Sequence, residues 1–190
     1  MRPGHAGYRS ALTTVRIEMD KENDNAYENF PFRLIVFSVL VNIAIYGVGV
    51  AILSGLGPLL AGLYLIYCIG VEMHVMKTGC VDCYYYGKWC AFGKGKVAPL
   101  FFKRGDPGRF IARTISWKDL LPDMFVVIIP VIGGIALLLQ DFSWTMVLLI
   151  SILMALSSGG NYVVRSKIAC RYCKQRELGC PAEQLFAKKQ

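Results

Sequence analysis

Six of the chain's seven cysteines fall into two motifs of one spacing, C-x2-C-x6-C: Cys80, Cys83 and Cys90 in CVDCYYYGKWC, and Cys170, Cys173 and Cys180 in CRYCKQRELGC. Cysteines with two residues between them can turn both sulfurs toward one ion, and a third from the following loop closes the site. Zinc and iron–sulfur centres both favour four ligands, whereas each module supplies three cysteines. The fourth ligand is expected from His74 or Asp82, from an exogenous group, or from the other module. A second arrangement joins Cys80, Cys83, Cys170 and Cys173 into one bridging four-thiolate site and leaves Cys90 and Cys180 as a dithiol pair. Zinc and an iron–sulfur cluster stay open as the cofactor. Buried structural thiols are the plainer alternative, since a free cysteine packs as a small hydrophobe. The polar neighbours Asp82, Lys88, Arg171, Lys174 and Arg176, and the recurrence of the spacing, speak against it.

The elements that must position these thiols are apolar and long. Of the 190 residues, 55% are hydrophobic and 18% charged, with a net charge of +8 and a mean hydropathy of +0.45. A disordered chain lacks such hydrophobicity, and a soluble nucleic-acid binder has no use for it, so no nucleic-acid partner is expected. Four stretches, at about residues 31–53, 58–76, 120–139 and 143–164, reach the roughly 20 apolar residues that cross a bilayer. A buried soluble helix rarely stays apolar around its whole circumference for so long. The first stretch is not read as a cleaved signal, because a polar head precedes it and no small-residue cleavage site follows. The expected fold is an all-α integral membrane protein of four transmembrane helices, arranged as two hairpins that read as a tandem repeat. Each hairpin is followed by a C-x2-C-x6-C module.

The expected organisation is a polar head (1–30), hairpin one (31–76), a cysteine-rich and basic-aromatic loop (77–118), hairpin two (119–164) and a cysteine-rich tail (165–190). The two modules lie 90 residues apart, and at that offset Gly70 matches Gly160 and Lys77 matches Lys167. Head with membrane edge, loop and tail hold five, nine and seven Lys/Arg, so the short turns between paired spans hold none. The positive-inside rule then puts head, loop and tail, and both termini, in the cytoplasm of a cell-membrane protein. There thiols stay reduced, which disfavours disulfides.

Other groups invite chemistry. Glu72 and His74 stand near the loop end of the second span, as candidates for a further ligand or a proton carrier, or as solvated interface residues. Two residues apart, they are separated by about 200° around a helix and cannot act from one face. Cys68 shares a face with Glu72. Asp123 reads as a helix-start residue, Asn42 as an interhelical hydrogen-bonding group, and Pro130, Gly133 and Gly134 as a kink or close helix contact. Lys94, Lys96, Lys103 and Arg104, interleaved with aromatic residues, suit anionic lipid headgroups; a pocket for a phosphorylated lipid or another anion is the sharper alternative. Gly93-Lys94-Gly95-Lys96 lacks the frame of a phosphate-binding loop. Tyr84-Tyr85-Tyr86 fits a cap over a metal site or an interfacial belt. The head, with Glu18, Asp20, Glu22, Asp24 and Glu28, is given no chemistry.

The leading expectation is a redox or electron-transfer accessory with a cytosolic-face cysteine centre, meeting a soluble redox or protein partner. A zinc-stabilised membrane scaffold or assembly factor is the non-enzymatic alternative. A small membrane enzyme or transporter for an anionic or lipid substrate is the third, and homo-oligomerisation fits all of them.

Overall fold

Long apolar runs without a competing polar face leave helix as the one way to satisfy the backbone in lipid. In the computed structural model, which describes residues 26–114 and 116–181, the chain is helical, with no strand among the described residues. The helices are α1 (Phe32–Ser54), α2 (Pro58–Val75), α3 (Lys94–Phe101), α4 (Pro107–Ala112), α5 (Trp117–Gln140), α6 (Trp144–Ala155) and the short α7 (Lys174–Glu177). Four stretches are long and apolar enough to cross a membrane: Phe32–Ser54, Pro58–Cys80, Lys118–Gln140 and Trp144–Ser166, each of 23 residues. At 1.5 Å per residue each is about 34 Å long, slightly more than a hydrocarbon core.

Two boundaries differ from the sequence reading in a way that matters for the thiols. The helix of α2 does not stop at Met76 but widens into a π-type turn over Met76–Cys80, so Cys80 closes the helix instead of following it. Likewise α6 runs on through wide turns at Leu156–Gly160 and Val163–Ala169 to the edge of Cys170. The N–H of Val81 bonds back to Met76 O at 3.2 Å, and that of Cys170 to Arg165 O at 2.9 Å, each spanning five residues. The Thr78 hydroxyl, donating to His74 O at 2.8 Å, helps carry the helix through.

At the opposite end the connections are short. Gly57, at φ 145°, makes the turn that lets Pro58 start α2 in the first helical position. Phe142 and Trp144 stack edge to face, 5.2 Å apart, beside the second turn, where aromatic rings suit a membrane interface. Helix α1 packs against α2, α5 and α6 and forms the centre of the bundle. Ile45, Ile52, Leu53, Tyr64, Cys68, Val71, Val126 and Leu153 fill the core. Leu40, Ile43, Leu63, Ile66, Ile132 and Leu148 remain exposed on the outer faces, as lipid-facing residues should.

Pro130 lies inside α5, fully buried, and the helix continues through it. A proline has no N–H for the carbonyl four residues back, here that of Val126. The buried Tyr64 of α2 replaces that donor: its hydroxyl bonds to Val126 O at 2.8 Å. One turn earlier in α5, Tyr67 donates to Pro122 O at 2.9 Å. Two tyrosines of α2 thus read two backbone carbonyls of α5. At the other side of the same joint, Arg113 donates to Thr78 O at 2.6 Å and to Asp119 at 2.8 Å, fixing the start of α5 to the end of α2.

Candidate functional site

The two cysteine modules are interleaved at the loop end of the bundle. Tyr85 lies at the junction. Its ring is 2% exposed, its hydroxyl donates to Tyr27 O at 2.5 Å and accepts from the N–H of Lys174 at 3.0 Å. The N–H of Tyr84 donates to the buried Gln175 side chain at 2.7 Å, and that of Tyr27 to Tyr172 O at 3.1 Å. Tyr27, Phe30, Tyr84, Tyr85 and Tyr172 form a chain of ring contacts at 5.2–5.6 Å. Cys83, Cys90 and Cys173 pack into this cluster. The head residues Tyr27 and Phe30, given no chemistry from sequence, are therefore structural members of the site. Only the tertiary fold shows this, because two aromatics in a polar stretch have no periodicity to announce them. The acidic stretch Glu18 to Asp24 lies outside the described residues; Glu28 pairs with Lys174 at 3.2 Å, which lowers the carboxyl pKa and raises that of the amine.

This packing sorts the six cysteines differently from the two sequence modules. Burial pushes the Cys83 thiol up to about 12; the N–H of Tyr85 opposes the shift, and the charges of Cys80, Cys90 and Cys180 add to it. Burial likewise pushes Cys173 up to about 12, opposed by N–H groups of Gln175 and Arg176 and reinforced by Cys83 and Cys180. Cys83, Cys173 and Cys180 are thus electrostatic neighbours drawn from both modules. Among the described residues, no three His, Cys, Asp or Glu side chains stand close enough together to hold a metal ion.

Cys80 and Cys90, the latter at the edge of the same cluster, share a second surface. They border a cavity of about 240 Å³ between the helices, which also takes Asn42, Ile45 and Tyr46 from α1, Glu72 and Val75 from α2, and Asp123, Val126 and Val127 from α5. Asn161 and Arg165 beyond α6, with Phe92 and Lys94 from the loop, complete it. Cys90, Lys94 and Glu72 are the ionisable groups whose fields reach the Cys80 sulfur. The Glu72 carboxylate is held on both oxygens: Lys94 Nζ lies 2.5 Å from Oε2, and the Tyr46 hydroxyl donates to Oε1. The loop delivers Lys94 there because α3 is pinned to the first module. The N–H of Gly87 bonds to Gly95 O at 2.8 Å, and the N–H of Gly95 donates to Cys90 Sγ at 3.2 Å. Gly95 must be glycine, since a Cβ there would lie 2.8 Å from Lys88 O and against Tyr85 O.

The remaining candidates separate. His74 is exposed and takes no part in the cavity, in keeping with its opposite face from Glu72. Asp82 lies outside the cavity with a buried Oδ1 that has no hydrogen-bond partner among the described residues; the exposed Arg109 guanidinium is 3.9 Å away. Of the four cations assigned to lipid headgroups, Lys94 turns inward to Glu72, while Lys96, Lys103 and Arg104 are exposed. Exposed Leu100 and Phe101 accompany them. Asn42, Asp123 and Arg165 join the cavity, a grouping that required the packing of three spans to become visible. Compared with known protein families, curated proteins and solved structures, the chain matches no family model, no curated protein and no solved structure.

Proposed function

We propose that this is a multi-pass membrane protein with head, loop and tail in the cytoplasm, whose two modules build one shared soft-metal centre with a redox or electron-transfer accessory role. The observation that carries this reading is the packing of Cys83 with Cys173: thiols from different modules share one dry aromatic cluster, with Cys173 in the field of Cys83 and both in the field of Cys180. Cys83, Cys170, Cys173 and Cys180 then supply four thiolates, the number that zinc and an iron–sulfur cluster both prefer. Loading draws the sulfurs inward from their present separation and displaces protons, because a bound cation reverses the effect of burial on a thiol. Lys88, Arg171, Lys174 and Arg176 surround the cluster and offset the negative charge of a four-thiolate site. The recurring order of helix pair, wide turn and cysteine module fits an old tandem repeat. Lys96, Lys103 and Arg104 serve as partners for anionic headgroups at the same membrane face.

Anaerobic purification in detergent, with iron, acid-labile sulfide and zinc measured on one sample, tests the centre. One zinc or one cluster per chain is expected, with loss in Cys173→Ser. A chain that is metal-free as isolated and takes up neither zinc nor iron with sulfide refutes the proposal. A colourless one-zinc protein supports the second reading, a zinc-stabilised scaffold, and removes the electron-transfer role. That reading draws on the hydrogen bonds by which Tyr27, Tyr85 and Gln175 already tie head, loop and tail together.

A further inference from the structure

Cys80 and Cys90 are left over by a centre built on Cys83 and the tail, and they share a cavity whose position has a meaning of its own. Asn42 lies ten residues into α1, about 15 Å from its start at 1.5 Å per residue. The cavity therefore runs from the thiols at the loop end to near the middle of the span. Its walls combine apolar Ile45, Val126 and Val127 with the donors Asn42, Tyr46 and Arg165. Two thiols line it, Cys80 lying in the field of Cys90 and Cys90 receiving the N–H of Gly95 at the start of α3. The Glu72–Lys94 ion pair lies beside them. Ionisable groups at this depth are costly unless they serve a passage or a reaction. A ligand that suits this cavity is small and partly apolar, and accepts hydrogen bonds at separate oxygens.

We propose that Cys80 and Cys90 form a dithiol–disulfide couple that reduces a lipid-soluble quinone bound in this cavity. Two S–H bonds break and one S–S bond forms; the two electrons and two protons pass to the quinone's carbonyl oxygens, giving the quinol. The polar groups around Glu72 hold the quinone oxygens and move the protons. A soluble dithiol at the loop face returns the disulfide to the reduced state. The proposal is independent of the metal centre, which uses other cysteines.

The test uses the reduced full-length protein in detergent, without air, and a fully substituted benzoquinone with a short alkyl tail, chosen because it resists direct addition of thiols. The expected result is loss of quinone absorbance at one equivalent per chain, together with a peptide pair joined through Cys80 and Cys90 in the mass spectrum. Cys80→Ser and Cys90→Ser should each lower quinone reduction at least tenfold, while Cys68→Ala, a thiol in the bundle core outside the cavity, retains it. Disulfide mapping of the unaltered protein keeps the test decisive even where a serine variant fails to fold. No quinone loss, a disulfide joining other cysteines, or undiminished reduction by Cys80→Ser overturns the proposal. Metal content read on the same sample separates this failure from failure of the shared centre.

Discussion

The Tyr64 hydroxyl is the donor that Pro130 withholds from Val126 O, so removing it should cost more than an ordinary interhelical hydrogen bond. Tyr64→Phe keeps the ring and leaves a carbonyl without its partner inside the bundle. Interhelical hydrogen bonds in membranes contribute about 0.6–2 kcal/mol, and an orphaned buried acceptor costs about 1–3 kcal/mol. We expect a loss of about 1.5 kcal/mol, measured by equilibrium unfolding in mixed micelles of mild and denaturing detergent. Pro130→Ala restores a backbone N–H at the position that faces Val126 O, at the expense of a small gap where the buried ring was. On that background the carbonyl has a helical partner again, and Tyr64→Phe should cost only about 0.5 kcal/mol. The two substitutions are therefore coupled by about 1 kcal/mol. Additivity within about 0.3 kcal/mol would refute the idea that the tyrosine substitutes for the missing donor, because a mere packing role for the hydroxyl is blind to residue 130.

Further outcomes follow from the loop end. In metal-free protein at pH 8, an ordinary thiol with a pKa of 9.0 is about one-tenth ionised, whereas Cys83 and Cys173, near 12, are about one ten-thousandth ionised. Their alkylation, followed site by site in the mass spectrum, should be about a thousandfold slower than that of a free thiol and rise about tenfold per pH unit; rates within tenfold of the free thiol contradict the dry cluster. Because the fold raises these two values, the stability they contribute is present in full below pH 9 and falls as pH climbs from 9 toward 12, which pH-dependent unfolding reads. Gly95→Ala drives a Cβ against the carbonyls of Tyr85 and Lys88 and should destabilise by about 1–3 kcal/mol, with faster alkylation of Cys90 as α3 lifts; unchanged Cys90 reactivity argues against the pinning. Lys94→Met leaves the half-buried Glu72 carboxylate without its cation and should cost about 1–3 kcal/mol, discounted for partial exposure. Adding Glu72→Gln should recover most of that loss, and a double variant no better than the single one contradicts the pairing.

The four spans were legible because lipid demands a signal that no short-range competition can hide: about twenty apolar residues with no free polar face. The turn at Gly57-Pro58 was equally plain. The ends of α2 and α6 were not, because the apolar runs stop at about residues 76 and 164 while backbone bonds spanning five residues and the Thr78 hydroxyl carry the helix on to the cysteines. The candidate thiols could be found from their spacing, but not their partners. Spacing along the chain pairs Cys80 with Cys83, whereas the packing also puts Cys83 in one aromatic cluster with Cys173 and Cys80 on the wall of the Glu72 cavity. Lys94 shows the same limit: by composition it belongs with the other surface cations, and the clasp of α3 on Cys90 and Gly87 turns it inward.

Tyr85 also sets a timetable. It sits in the first module, yet its hydroxyl binds the backbone of Tyr27 on one side and of Lys174 on the other. A ribosome completes the first module at Cys90, roughly ninety residues before it completes the second at Cys180, and the intervening chain holds two more apolar spans. During that interval Tyr85 lacks one partner and Cys83 lacks its cover. The thiol cluster can close only after all four spans are in place and the second module has docked. A chain truncated before residue 170 would keep all four apolar spans and still present an open site, so the second module acts as a seal on work already done.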